Sequence, residues 1–222
     1  MYSISDLQEL LDSAIREYKY PQQPQELYEP VSYLLALGGK RLRPALLLMA
    51  TDLFAGDVKS AINAALAIEF FHNFTLMHDD IMDKAPLRRG NPTVHTKWND
   101  AVAILSGDIM LIESYKLLMG INPAVLPQVL NVFNQTATGV CEGQQFDMNF
   151  EKQNQVQIED YINMIRLKTA VLLGGALQIG ALIANASTED LANIYSFGEN
   201  IGIAFQLQDD ILDVYGNPEN FG

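Results

Sequence analysis

The chain has 222 residues, 49% of them hydrophobic, enough for one well-buried core and too many for a disordered chain. Its 27 acidic against 14 basic residues leave a formal charge of −13, which excludes nucleic acid as the expected partner, because binding it needs a basic footprint. The single cysteine, Cys141, permits no intrachain disulfide; it is expected as a small buried apolar residue, and a reducing cytoplasm is the expected compartment.

In chain order, Met1-Tyr2-Ser3-Ile4-Ser5-Asp6 shows no basic start followed by an apolar run, so no signal peptide is expected. Ser5-x-x-Gln8 resembles a capping box and predicts a polar N-terminal helix. Pro21 to Pro30 predicts a break, and Val31 to Leu37 a short apolar helix stopped by Gly38-Gly39. Pro44 suits the first turn of a helix through Ala50. Asp57 or Ser60 could cap the next helix, which is alanine-rich and free of Gly and Pro up to Asp83.

Lys84 to Pro92 predicts a loop. Helices are expected at Asn99 to Met119, Ala124 to Phe146, Ile158 to Ala186 and Glu189 to Val214. Thr169 to Ala186 is the longest weakly polar run, but Gln178, Asn185 and three glycines mark it as a buried helix, and the chain is not expected to span a membrane. No segment sustains the two-residue alternation of strands. The expected fold class is all-α, a helical bundle in one domain covering residues 1–222.

Two acidic pentads stand out, Asp79-Asp80-Ile81-Met82-Asp83 and Asp209-Asp210-Ile211-Leu212-Asp213. On a helix, residues four apart share a face, so each pentad presents two carboxylates to one side and turns the third by about 100°. Close like charges repel unless a cation neutralises them, and an oxygen-only set suits Mg²⁺. A solvated acidic face is the bland alternative. It is disfavoured by apolar flanks, Phe70-Phe71 and Phe74-Thr75-Leu76-Met77 before the first pentad and Ile203-Ala204-Phe205 before the second. Charges ending an apolar helix, twice, point to the mouth of an apolar cavity. An EF-hand is excluded, because neither pentad has the required Gly and terminal Glu.

The basic residues are few but clustered. Gly39-Lys40-Arg41-Leu42-Arg43 follows a glycine pair, Arg88-Arg89-Gly90 follows the first pentad, and Lys168 lies in an apolar run that leaves it in need of an anionic partner. His72 precedes Asp79 by two helical turns. His78 adjoins Asp79 and reads equally well as a hydrogen-bonded core histidine. Gly143-Gln144-Gln145-Phe146-Asp147 is a further polar group emerging from an apolar helix.

Taken in order, Gly38 to Pro44, His78 to Asp83, Arg88-Arg89-Gly90, Gly107-Asp108, Gly143 to Asp147, Lys168-Thr169 and Phe205 to Asp213 resemble the trans-isoprenyl diphosphate synthases, the polyprenyl synthetase family, over nearly all of residues 31 to 222. The resemblance implies an isoprenoid-synthase bundle around a deep central cavity, usually as a homodimer. It implies condensation of isopentenyl diphosphate with an allylic diphosphate (dimethylallyl, geranyl or farnesyl), with Mg²⁺ as cofactor. By the same resemblance Asp79, Asp83 and Asp209 bind the metal with support from Asp80 and Asp213. Lys40, Arg43, His72 and Arg89 hold isopentenyl diphosphate; Arg88, Lys168, Thr169 and Gln206 hold the allylic diphosphate; Gln144 and Asp147 support the site from behind. Asp79, Asp83, Arg88, Lys168 and Asp209 are the residues expected to carry the reaction.

Relatives in that family usually continue with a lysine and further helices, so the domain is expected to lack its C-terminal helices past Phe221-Gly222. Helical phase puts Thr75 within about 40° of Asp79 and Phe74 about 140° away. The resemblance nonetheless implies that a bulky residue at either position floors the cavity. Phe74 beside the small Thr75 then implies a farnesyl or geranylgeranyl product. A terpene cyclase is disfavoured by the second aspartate pentad and by the Lys40 to Arg43 cluster. A metal-dependent phosphohydrolase built on His72 and His78-Asp79 leaves the second pentad unexplained, and a non-catalytic subunit needs no six aspartates.

Overall fold

A computed structural model describes residues 2–21 and 23–215; the chain's last residues, Phe221-Gly222 among them, lie outside these. Its helices are α1 (Ile4–Glu17), α2 (Gln25–Ala36), α3 (Leu42–Leu53), α4 (Ile62–Met82), α5 (Val94–Lys97), α6 (Asp100–Leu118), α7 (Leu126–Phe150), α8 (Ile158–Ile165), α9 (Val171–Ile183) and α10 (Thr188–Tyr215). The all-α class is as the sequence implies. Two short strands, β1 (Leu87–Arg88) and β2 (Asn91–Pro92), pair antiparallel where a plain loop was expected.

Several boundaries differ for local reasons. The α1 cap is Ser3, not Ser5: the Asp6 N–H donates to the Ser3 hydroxyl and the Ser3 N–H to the Asp6 carboxylate, a complete capping box two residues earlier. Pro30 does not break the chain but sits inside α2, where it is buried and costs one backbone bond. Asp57 caps a short 3-10 turn, Val58–Ala61, that leads into α4.

The expected long helix from Ile158 is interrupted by a π-helical turn, Arg166–Ala170, between α8 and α9. Two glycines explain how neighbours approach it. A Cβ on Gly143 of α7 would fall 2.2 Å from the Lys168 backbone nitrogen, and one on Gly202 of α10 would fall 2.5 Å from the Ala170 Cα. Both helices therefore lie directly against the π turn.

The stretch Ile158–Ile183 is long and apolar enough, by length and composition, to cross a membrane, but 78% of its most apolar window is buried within the fold, in line with the buried helix expected from Thr169 to Ala186. It is the central pillar, with α9 packed against α3, α7 and α10, while α4 packs along α6. The core centres on Phe70 and Phe71 of α4, Phe133 of α7 and Leu47 and Leu48 of α3, each essentially inaccessible. Phe71 meets Phe133 edge-on at 5.3 Å. Truncating such a phenylalanine costs about 3–5 kcal/mol. That rigidity fixes the C-terminal end of α4, where the first pentad lies.

Candidate active site

Lys40, Arg43, His72 and Arg89 line one cavity of about 420 Å³. Arg89 reaches it from the tip of the β1–β2 hairpin, where Arg89 and Gly90 adopt left-handed φ of 53° and 75°. Left-handed backbone at a non-glycine residue costs of order 1–3 kcal/mol, strain held here at a charge-bearing position. Arg43 Nη1 lies 3.2 Å from His72 Nε2. Burial holds His72 well below the usual imidazole range, and Arg43, Arg89, Arg88 and Arg41 add to the effect, so the ring is neutral and accepts from Arg43.

Burial also pulls Arg43 and Arg89 down, and the Arg43 Nε is buried without a partner. Arg41 differs from its neighbours: it is buried, pairs with Glu69 and donates to the Leu35 carbonyl at 2.7 Å. Glu69, a buried carboxylate that also accepts from Asn73 at 2.8 Å, was missed by sequence reasoning, although a lone charge in Ala67-Ile68-Glu69-Phe70-Phe71 was a usable signal. With Glu69 committed to Arg41, the remaining cations form a prepared anion pocket.

At the first pentad, Asp79 and Asp83 share a face of α4. Burial pushes the Asp79 carboxyl up to about 6; Lys168 and Arg88 pull it down, while Asp83 and Asp80 push it up. Asp80, expected to support the metal, is placed differently from Asp79 and Asp83. It is 2% exposed, and both oxygens accept from Arg88 at 2.7–3.0 Å, because the helical turn that separates it from Asp79 aims it at the hairpin and away from the cavity. Two of the three guanidinium nitrogens of Arg88 are thereby committed.

Below Asp79 lies a cavity of about 200 Å³ lined by Phe74, Thr75, His78, Cys141 and Gln144. Helical phase had excluded Phe74. Its ring reaches the cavity by packing on the His78 ring one turn later, centroids 4.7 Å apart and nearly perpendicular. His78 Nε2 lies 3.1 Å from the Ile104 carbonyl of α6. It fits only because Gly107 lacks a side chain, since a Cβ there would fall 2.3 Å from that nitrogen. Thr75 turns its hydroxyl back to the His72 carbonyl at 2.8 Å. Cys141 is exposed, not buried as expected, because its position on α7 faces this cavity. Gln144 is 8% exposed, and its Oε1 has no partner.

A third cavity, about 410 Å³, adjoins the second pentad and is lined by Asp147, Tyr161, Lys168, Thr169, Gln206 and Asp210 among others. The π turn directs Lys168 to Asp147 on α7 and the Thr169 hydroxyl to Gln206 Oε1 on α10 at 2.9 Å. Burial, then Asp213, pushes the Asp209 carboxyl up, with Lys40 opposing. Tyr161, which no sequence signal marked, donates to Asp210.

Among the described residues no three His, Cys, Asp or Glu side chains converge to hold a metal by themselves. Carboxylate pairs are what Mg²⁺ uses when phosphates and water complete its octahedron. Burial, with the Asp83 charge adding to it, disfavours an unneutralised Asp79 carboxylate, a cost that a cation would relieve, so the residues fit that ion.

The family model for polyprenyl synthetase matches residues 24–222. A geranylgeranyl diphosphate synthase of Methanosarcina mazei is 42% identical over 214 residues, 96% of this chain and 66% of the relative. One of Sulfolobus acidocaldarius is 41% identical over 89% of this chain and 61% of its own length. Among solved structures, a geranylgeranyl pyrophosphate synthase superposes with a TM-score of 0.97 at 49% identity, over 100% of this chain and 68% of that one. The chain therefore spans just under two thirds of the length of these curated relatives.

Proposed function

The chain belongs to the polyprenyl synthetase family, and on that premise we propose that it is a trans-prenyltransferase joining isopentenyl diphosphate head-to-tail to an allylic diphosphate, with farnesyl or geranylgeranyl diphosphate as product. The observation that carries this reading is a pair of separate cation-bearing cavities, one with Lys40, Arg43, His72 and Arg89, the other with Lys168, which is paired there with Asp147, beside Thr169 and Gln206. A hydrolase or a cyclase has use for one diphosphate pocket; a condensing enzyme needs two.

In this reading Arg43, Lys40 and Arg89 hold the isopentenyl diphosphate, and neutral His72 orients Arg43 without adding charge. Lys168, exchanging Asp147 for phosphate, and the uncommitted edge of Arg88 hold the allylic diphosphate, while the Thr169–Gln206 bond fixes the wall of the pocket beside it. Asp79 with Asp83, and Asp209 with Asp213, would hold Mg²⁺, which when bound would supply charge stabilisation to the departing diphosphate. Asp80 contributes through Arg88, which it orients. The allylic C–O bond ionises, the isopentenyl double bond attacks the cation, and a proton is lost. The apolar cavity between Phe74 and Gln144 takes the growing tail and keeps water from the cation. Phe74, braced by His78, is the floor that limits length, with Thr75 leaving room beside it.

The exposed Ile104, Leu105 and Ile112 of α6 and Met119 at its C-cap, 45–66% accessible, support a homodimer through that face. The single cysteine supports a reducing cytoplasm.

Crossed substitutions test the two-pocket reading. Arg89→Ala is expected to raise the isopentenyl diphosphate KM about 10- to 100-fold, the size of one or two lost charge-assisted bonds, leaving the allylic KM within about twofold. Lys168→Ala should do the reverse. Equal effects of each substitution on both substrates contradict the assignment.

A further inference from the structure

The far half of α10 is weakly held by apolar packing. From Ile203 to Tyr215 no residue is fully buried, whereas Gly198 and Gly202 seat the near half against the π turn and α9. The second pentad lies in that far half. On apolar contacts alone these last turns could twist or lift away from the near half, and Asp209 and Asp213 would shift with them.

A polar bracket prevents this. The Tyr161 hydroxyl on α8 donates to Asp210 Oδ2. Gln206 Nε2 donates to Asp210 Oδ1 at 2.8 Å, and Gln206 Oε1 accepts from the Thr169 hydroxyl at 2.9 Å. Both oxygens of Asp210 are thus occupied by protein donors, and both ends of the Gln206 amide are used. Asp210 projects about 100° from Asp209 around the helix, so it can be pinned to the protein at the third cavity while Asp209 turns towards the charge of Lys40. The phenol is held in the acid form, its pKa raised to about 12 by burial and by Asp210, so it remains a donor.

We propose that Tyr161 is a positioning residue for the second pentad: by anchoring Asp210 it sets the azimuth of α10, so that Asp209 and Asp213 can engage a metal-bound diphosphate. Two helices meet at this contact, α8 before the π turn and α10 after it. The allylic pocket is thereby tied at both ends, by Thr169–Gln206 and by Tyr161–Asp210. The proposal rests on the reading that the second pentad takes part in Mg²⁺–diphosphate binding.

The test uses the whole chain with Mg²⁺ and inorganic diphosphate as the probe, read by titration calorimetry. Tyr161→Phe removes one oxygen atom. It is expected to weaken Mg²⁺-dependent diphosphate binding about tenfold, the scale of one charge-assisted hydrogen bond, with the melting temperature of the free protein changed little. In a cycle with Asp210→Asn, the double variant should bind no worse than the weaker single variant. The initial-rate counterpart is a raised Mg²⁺ requirement with the isopentenyl diphosphate KM unchanged. Equal affinity in the wild-type and Tyr161→Phe proteins overturns the proposal alone. So does additivity in the cycle, or a loss that persists equally without Mg²⁺. No Mg²⁺-dependent binding in the wild-type protein overturns the underlying reading and the proposal with it.

Discussion

Phe74 shows how much one side chain's reach matters. Its Cα lies on the wrong side of α4 for the cavity, yet its ring is steered there by His78, which in turn is seated on Gly107. Phe74→Ala is expected to lengthen the product by at least one isoprene unit in a radiolabelled chain-length assay, and an unchanged product sinks the floor assignment. Gly107→Ala must displace His78 and should cost about 1–3 kcal/mol of stability by overpacking, read as a fall in denaturation midpoint.

Asp79 gives a pH dependence whose sign differs with and without metal. Its folded pKa, about 6, lies above the ordinary 3.8, so the metal-free fold binds a proton that the unfolded chain releases. That contribution is fully present below pH 3.8 and is lost as the pH rises through about 6. Mg²⁺ needs the carboxylate, so thermal stabilisation by Mg²⁺ with inorganic diphosphate should grow over the same rise through about pH 6. A stabilisation independent of pH between 5 and 8 would contradict the role given to Asp79.

At the scale of elements, the decisive feature is the π turn, Arg166–Ala170. Such turns recur at functional sites because they re-aim successive side chains. This one sends Lys168 towards α7 and Thr169 towards α10. Gly143→Ala puts a methyl onto the Lys168 backbone, where no flexible side chain can yield. It is expected to lower the melting temperature and to weaken allylic diphosphate binding more than isopentenyl diphosphate binding; a silent substitution would contradict the seating described.

The helices bearing the pentads were legible because their charges interrupt long apolar runs, as were the glycine stop before Lys40 and the helix that begins at Asn99. The π turn was not, since Arg166-Leu167-Lys168-Thr169-Ala170 carries ordinary helix formers and the bulge is imposed by α7 and α10. The hairpin was hidden because its strands are two residues each, too short for alternation to register. The burial of Asp80 and the bond from Tyr161 are tertiary facts: each depends on a partner that only the packed bundle supplies.

For the whole molecule, the charge of −13 is compatible with the anionic substrates proposed above once its distribution is seen. Among the described residues Lys40, Arg43 and Arg89, which line the cavity between α3, α4 and the hairpin, form no ion pair, while the carboxylates of the two pentads are grouped outside its lining, where a divalent cation could bridge them to phosphate. The bundle core, from Phe70 to Phe133, keeps these two sets at fixed separation without touching either. The account therefore makes activity depend on three things together: two diphosphates, a divalent cation and a dry tail cavity.

Product analysis of the purified chain, incubated with isopentenyl diphosphate, each of dimethylallyl, geranyl and farnesyl diphosphate, and Mg²⁺, tests that dependence most directly. The account predicts farnesyl or geranylgeranyl diphosphate, abolished by EDTA and restored by excess Mg²⁺. Absence of any condensation product with all three primers in the presence of Mg²⁺ would contradict it.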